Sequence, residues 1–365
     1  MQDRKLSELA ATIADPARHD PGDAPISISA GLADWMLAQK LSLAFTSYQT
    51  GQLIVAGVGP DLRLSFNQQQ YARATGLCYD RGRLIVASMF QIWRLENMLR
   101  PGHYANNAFD MALVPRTAHT VGYVDTHELS IDTVGQIIFV NSRYSCLATI
   151  DEVHSFRPVW QPKFISALAP EDRCHLNGLA MDGGKPRFVT LAGISDEKDG
   201  WRAIRQRGGA VIDVASDEVV VSGLTMPHSP RVHDGALWLL DSGRGQIVRV
   251  DLANGQQDDV AFCAGFLRGL AFHGAWAIVT VSLAREDKFR ELAIQEGLEE
   301  RGLEAKCGVL IVDTRTGKVD HSIMLGGKFT EMFDVALLPG VRNPMTIGPA
   351  TVDMIGAVTI GDPAP

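Results

Sequence analysis

Residues 226–251 read MPHSPRVHDGALWLLDSGRGQIVRVD. Apolar and polar residues alternate on either side of His233-Asp234-Gly235, a turn signal between two β runs, and more strand continues to Asp251. Pro227 and Pro230 stiffen the approach, so His228 is aimed with little freedom.

The same unit recurs along the chain. LSLAFTSYQTGQLIVAG begins at Leu41, ATGLCYDRGRLIVASMFQIWRLEN at Ala74 and HELSIDTVGQIIFVNSRYSCLATID at His127. HLNGLAMDGGKPRFVTLAG begins at His175, LRGLAFHGAWAIVTVSLARE at Leu267, and a partial copy, EMFDVALLPG, at Glu331. Each full unit is a short strand, a polar turn, and a second strand ending in Ser, Asn, Asp or Thr. The starts lie roughly 35 to 65 residues apart, the range of β-propeller blades with variable loops. An all-β propeller is therefore expected, with six blades favoured and seven possible. The copy at Glu331 is either a seventh blade or a closing strand that pairs with N-terminal sequence. Helical periodicity is convincing only at 285–306, with a short amphipathic run near the N-terminus. An α/β barrel would need a helix after every strand. Residues 1–26 read as an extension and 27–365 as one propeller domain.

Length and composition narrow the function. A chain of 365 residues, 46% hydrophobic, holds a large core, and its net charge of −8 disfavours nucleic acid and anionic membranes as partners. Five scattered cysteines with no CxxC disfavour a disulfide framework or a Cys-rich zinc site. The charged N-terminus has no apolar core of a secretory signal, and no run of eighteen apolar residues follows. The expectation is a soluble, cytoplasmic protein. GxSxG, Walker A and HExxH motifs are absent.

Propeller geometry places the residues before each first strand and those ending each second strand on one rim. The first set is Thr75, His127 with Glu128, His175 with Asn177, His228, Arg268 and Glu331; the second is Ser88, Asn141-Ser142-Arg143, Asp241-Ser242 and Ser282. Insertions near 97–126, 193–209 and 285–306 are expected to rise over that face, as lids do. Three histidines on three successive units suit a divalent metal, with Zn, Fe or Cu favoured over Ca. Glu331 or Glu128 then supplies a carboxylate for proton transfer, and Arg268 acts on an anionic group. Asn177, Ser229, Arg231, Arg143 and Asp241 are the expected substrate contacts. Each has a plainer reading: loop histidines often bond only backbone, Asn177 caps a turn, and Arg268 forms an inter-blade ion pair.

Several of these stretches, MPHSPR with FDVALLPGVR above all, resemble a bacterial family of "conserved hypothetical" proteins, some joined to tetratricopeptide repeats. The likeness runs from about residue 30 to 350 and implies a propeller without an assigned reaction. Its motif residues fall on His127, His175, Asn177, His228, Ser229, Arg231, Arg268 and Glu331. More distantly, HLNGLAMDGG is similar to the strand starts of gluconolactonase and senescence-marker-type six-bladed propellers. That class binds a divalent cation through Glu, Asn and Asp. Asn177 matches its asparagine, but His228-Ser229-Pro230 replaces its aspartate, which argues for nitrogen ligands. The expected function is a metal-dependent lyase or hydrolase acting on a small polar, anionic substrate at the channel mouth. The alternative is a non-catalytic binding module for a peptide, sugar or protein partner.

Overall fold

A computed structural model describes residues 25–283 and 292–361, whose strands form six sheets, four of four strands and two of five. From the channel outward, blade 1 is Met332–Pro339, Leu41–Ser47, Gln52–Val58 and Leu64–Gln70. Blade 2 is Leu77–Asp80, Arg83–Ala87, Gln91–Asn97 and Met111–Thr120; blade 3 is Thr126–Ile131, Ile137–Asn141, Cys146–Thr149 and Arg157–Trp160. Blade 4 is Leu176–Asp182, Lys185–Leu191, Gly209–Asp213 and Val219–Leu224. Blade 5 is Pro227–His233, Ala236–Asp241, Gln246–Val250 and Gln257–Phe262; blade 6 is Phe266–His273, Trp276–Ser282, Gly308–Asp313 and Lys318–Leu325. The inner strands neighbour one another in that order and return from blade 6 to blade 1. The protein is a six-bladed β-propeller.

The copy at Glu331 is the closing strand, not a seventh blade. Met332–Pro339 pairs antiparallel with Leu41–Ser47, setting Leu43 opposite Leu337 and Phe45 opposite Val335. The unit at Leu41 therefore begins with a second strand, its inner strand coming from the far end of the chain. Both ends also seal outer edges that would otherwise present unpaired backbone. Ile26–Ile28 lies on Lys318–Leu325, and Pro344–Thr346 runs parallel to Met111–Leu113.

The second strands are apolar without a break because both of their faces are covered. In blade 5, Leu237 and Leu239 pack toward blade 4, while Trp238 and Leu240 pack toward blade 6. Each junction between neighbouring blades has its own buried cluster of this kind.

Two expected insertions differ from their reading. Much of 97–126 is the outer strand of blade 2, Met111–Thr120, and 98–110 joins third to fourth strand, so it lies away from the mouth. The helix expected over 285–306 is confined to Ile294–Arg301 among the described residues, and 284–291 lie outside them, as do residues 1–24 with the N-terminal amphipathic run. A helix at Leu32–Gln39, not anticipated, seals the blade 6–blade 1 seam through Leu32 and Met36. The five cysteines are free thiols, and no helix among the described residues is long and apolar enough to cross a membrane.

Candidate functional site

One residue of each blade aligns at the mouth: Thr75, just before the inner strand of blade 2, and His127, Asn177, His228, Arg268 and Phe333 in the inner strands of blades 3, 4, 5, 6 and 1. In five blades a bulge follows at this point, a local kink that re-aims side chains. The next position alternates. Gly76, Gly178 and Gly269 occupy even blades, and Glu128, Ser229 and Asp334 occupy odd ones. Each odd-blade side chain reaches the following blade. Glu128 Oε2 accepts the Leu179 N–H at 2.7 Å, Asp334 Oδ2 accepts the Leu77 N–H at 2.7 Å, and Ser229 Oγ donates to the Arg268 carbonyl at 2.7 Å.

His127 and His228 are held by one repeated device. The residue two before each, Asp125 or Met226, has left-handed backbone with φ of 55° or 50°. That turn brings its carbonyl to 2.9 Å from the histidine Nδ1. The serine after each second strand also meets Nδ1, Ser142 at 2.8 Å and Ser242 at 2.9 Å. A carbonyl only accepts, so Nδ1 carries the proton and the Nε2 lone pair is left on the opposite ring edge. His228 Nε2 is buried with no hydrogen-bond partner. His175 reaches the same tautomer differently, its Nδ1 donating to Asp172 Oδ1 at 2.9 Å while Trp201 Nε1 donates to Asp172 Oδ2 at 3.2 Å.

The three rings gather. His127 lies 4.8 Å from His175 and 6.3 Å from His228 between centroids, and Trp201 stacks on His175 at 4.2 Å. Phe333 is 5.3 Å from His127, Phe266 is 5.6 Å from His228, and the Arg268 guanidinium covers both phenyl rings. Burial, reinforced by the positive charge of Arg268, pushes His127 down to about 4 and His228 well below the usual imidazole range. Both are neutral at physiological pH. Two insertions cover this face: Leu292, Ile294 and Leu298 pack with Trp201, Met226 and Phe266. Among the described residues, no group of three or more His, Cys, Asp or Glu side chains is set at metal-holding distances.

The structure also gives contacts for the other expected site residues. Glu128 forms an ion pair with Arg231 inside the channel, where Asp334 also feels that guanidinium. Burial pushes both carboxyls up while Arg231 restrains them. Asn177 Oδ1 accepts the Thr190 hydroxyl at 2.7 Å, and Asp241 holds the Thr225 N–H at 2.8 Å and Arg244 at 3.2 Å. Arg143 lies over Tyr123 at 5.1 Å. The Glu331 carbonyl accepts from Ser47 Oγ and the Tyr48 N–H, tying the closing strand to blade 1. Asp172 and Trp201 were not among the expected residues. The spacing Asp172-Arg173-Cys174-His175 is the signal that points to the first, a carboxylate three residues before an imidazole in the loop that leads into the blade.

A family model, Domain of unknown function (DUF4915), matches residues 30–347. The chain belongs to the DUF4915 family. No curated protein matches it by sequence. Among solved structures, this DUF4915 chain is similar to a chain of a nidogen/laminin complex at 11% identity, covering 82% of this chain and 99% of that one, with a TM-score of 0.53. That likeness is one of fold. A protein of unknown function from Bacteroides caccae aligns at 9% identity, 82% and 98% coverage and a TM-score of 0.48. A catalytically inactive virginiamycin B lyase from Staphylococcus aureus, with quinupristin, aligns at 10% identity, 84% and 100% coverage and 0.41.

Proposed function

We propose that the channel mouth is the working site of a metal-dependent enzyme, of lyase or hydrolase type, in which His127, His175 and His228 hold a divalent ion through Nε2. One observation carries this reading. Three imidazoles from successive blades each have Nδ1 committed to an acceptor, the arrangement that orients metal-binding histidines, and one Nε2 is buried without a partner. The His127 ring centroid lies 4.8 Å from that of His175 and 6.3 Å from that of His228, so the three imidazoles that would hold the ion lie in one small region of the mouth.

A divalent ion there supplies Lewis-acid polarisation of a substrate oxygen. Arg268, between Phe266 and Phe333, orients an anionic group beside the histidines. Glu331, or Glu128, which is paired with Arg231, moves the proton. The two packed insertions limit access of water. The test is elemental analysis of the purified protein and of His228→Ala. One bound ion in the wild type, lost in the variant, together with a lower melting temperature in chelator, is expected. Substoichiometric metal and an unchanged melt in chelator remove the proposal.

A second reading is favoured by the Asp172–His175 pair. An imidazole oriented by a carboxylate is a general base in its own right and needs no ion. Asp172→Asn then abolishes turnover in a protein whose metal content never mattered, whereas on the first reading it lowers metal affinity.

A further inference from the structure

Blade 4 departs from blades 3 and 5 in how it sets its histidine. Ser142 and Ser242 follow the second strands Ile137–Asn141 and Ala236–Asp241, and each meets the imidazole Nδ1 of its own blade. The residue that follows the second strand of blade 4, Lys185–Leu191, is Ala192, whose side chain has no polar atom. The carbonyl two residues before the histidine is also diverted. Those of Asp125 and Met226 lie 2.9 Å from Nδ1 of His127 and His228, whereas that of Arg173 accepts the Trp201 N–H at 3.3 Å. Neither partner that the blades supply elsewhere serves His175.

Trp201 replaces both. It belongs to the insertion that begins at Gly193, directly after Ala192. Asp172 Oδ1 accepts from His175 Nδ1 at 2.9 Å, and Asp172 Oδ2 accepts from Trp201 Nε1 at 3.2 Å. The Arg202 guanidinium, 3.9 Å from Oδ2, is beyond hydrogen-bond reach. The indole face also stacks on the His175 ring, with centroids 4.2 Å apart and planes at 21°. One side chain thus fixes the imidazole twice, by its face and, through Asp172, by its edge. Trp201 is buried, packed with Ala192, Met226 and Phe266 and with Leu292, Ile294 and Leu298 of the other insertion. Its own insertion is tied down where Arg173 pairs with Asp196 at 2.6 Å and the Asp199 N–H donates to the Glu171 carbonyl at 3.0 Å. His127 and His228 are therefore oriented by the blades alone, and His175 by a segment laid over them.

We infer that Trp201 is the positioning residue of His175, and that this third histidine is set for action only while the 193–208 insertion is docked. This rests on the mouth being the working site, and it holds whether His175 binds an ion or acts as a base. The test is nitrogen-15 NMR of the imidazole nitrogens in histidine-labelled protein at about pH 8 after chelator treatment, so that neither protonation nor an ion fixes the tautomer. His175→Ala assigns the resonances, and Asp172→Ala supplies the signature of a released ring. Wild-type His175 is expected as a single tautomer protonated at Nδ1. Trp201→Phe keeps much of the stack and loses the N–H donor, so His175 alone should shift part-way to the released signature. Trp201→Leu loses both and should reach it. His127 and His228, unchanged in each variant, report that the propeller is intact. Wild-type His175 signals in both variants overturn the inference, and so does an equal change at all three histidines, which would reduce Trp201 to packing. A released His175 in both variants of a protein that takes up no zinc on titration supports the inference while removing the metal reading.

Discussion

His228 and Ser242 are bonded across the first two strands of blade 5, imidazole Nδ1 to hydroxyl at 2.9 Å. His127 and Ser142 repeat the bond in blade 3 at 2.8 Å. The serine and the carbonyl two residues before the histidine share one proton, which fixes both tautomer and ring plane.

Ser242→Ala removes one of those two acceptors and leaves the Met226 carbonyl in place. The fold should persist, while affinity for a divalent ion falls about 10- to 100-fold, the usual cost of losing an orienting partner. Competition with a chromophoric chelator measures it. Equal affinity in wild type and variant means that the serine is only a strand-end cap.

Gly269→Ala probes the seam that closes the ring. A Cβ on Gly269 would lie 2.7 Å from both Asp334 Cα and Val335 N, backbone atoms that no rotamer change can move aside. The inner strands of blades 6 and 1 must then separate, at a cost of about 3 kcal/mol. Urea denaturation should register that loss with little change in slope. A variant as stable as wild type would show that the closing strand yields freely.

The repeat was legible because propeller strands are apolar on both faces and return at regular intervals; ALWLLD at Ala236–Asp241 needs no other explanation. Gly-Leu at the strand starts carried more than pattern, since Gly76, Gly178 and Gly269 each admit the neighbouring inner strand. What spacing could not assign was partnership between distant blades. LSLAFTS and EMFDVALLPG read alike, and only pairing reveals which one lines the channel. In blade 4, Asn177 occupies the place of His127 and His228, while His175 arrives from two residues earlier on a left-handed turn, φ 49°. Arg231 reads as a substrate contact beside His228, yet it reaches blade 3 to meet Glu128, a contact between residues about a hundred positions apart.

That buried pair gives a third prediction. Arg231→Met removes the cation that restrains Glu128 and Asp334 while keeping much of its packing volume. Two buried carboxyls then lack compensation, and the loss is about 3–5 kcal/mol near neutral pH. Both carboxyls are shifted upward, so their contribution is favourable below the ordinary carboxylate range and is lost as pH rises. The variant should therefore recover toward wild type in acid. Urea midpoints at pH 5 and pH 8 test this, and an equal deficit at both pH values would place the effect in packing alone.

Asp241 offers a cleaner titration because it stands apart from that channel group. Burial raises its carboxyl from 3.8 to about 6, against the Thr225 N–H and Arg244, which favour the charged form. A raised folded value means that stability is fully present below 3.8 and declines as pH climbs through about 6. Asp241→Asn keeps an oxygen for the Thr225 N–H and has nothing to ionise. Between pH 4 and pH 7 the wild type should lose about 2–3 kcal/mol relative to the variant, with no further divergence above pH 7. Paired denaturation curves across that window measure the difference directly. Parallel curves for the two proteins would mean that Arg244 and the amide hold Asp241 ionised throughout, with its pKa left in the ordinary range.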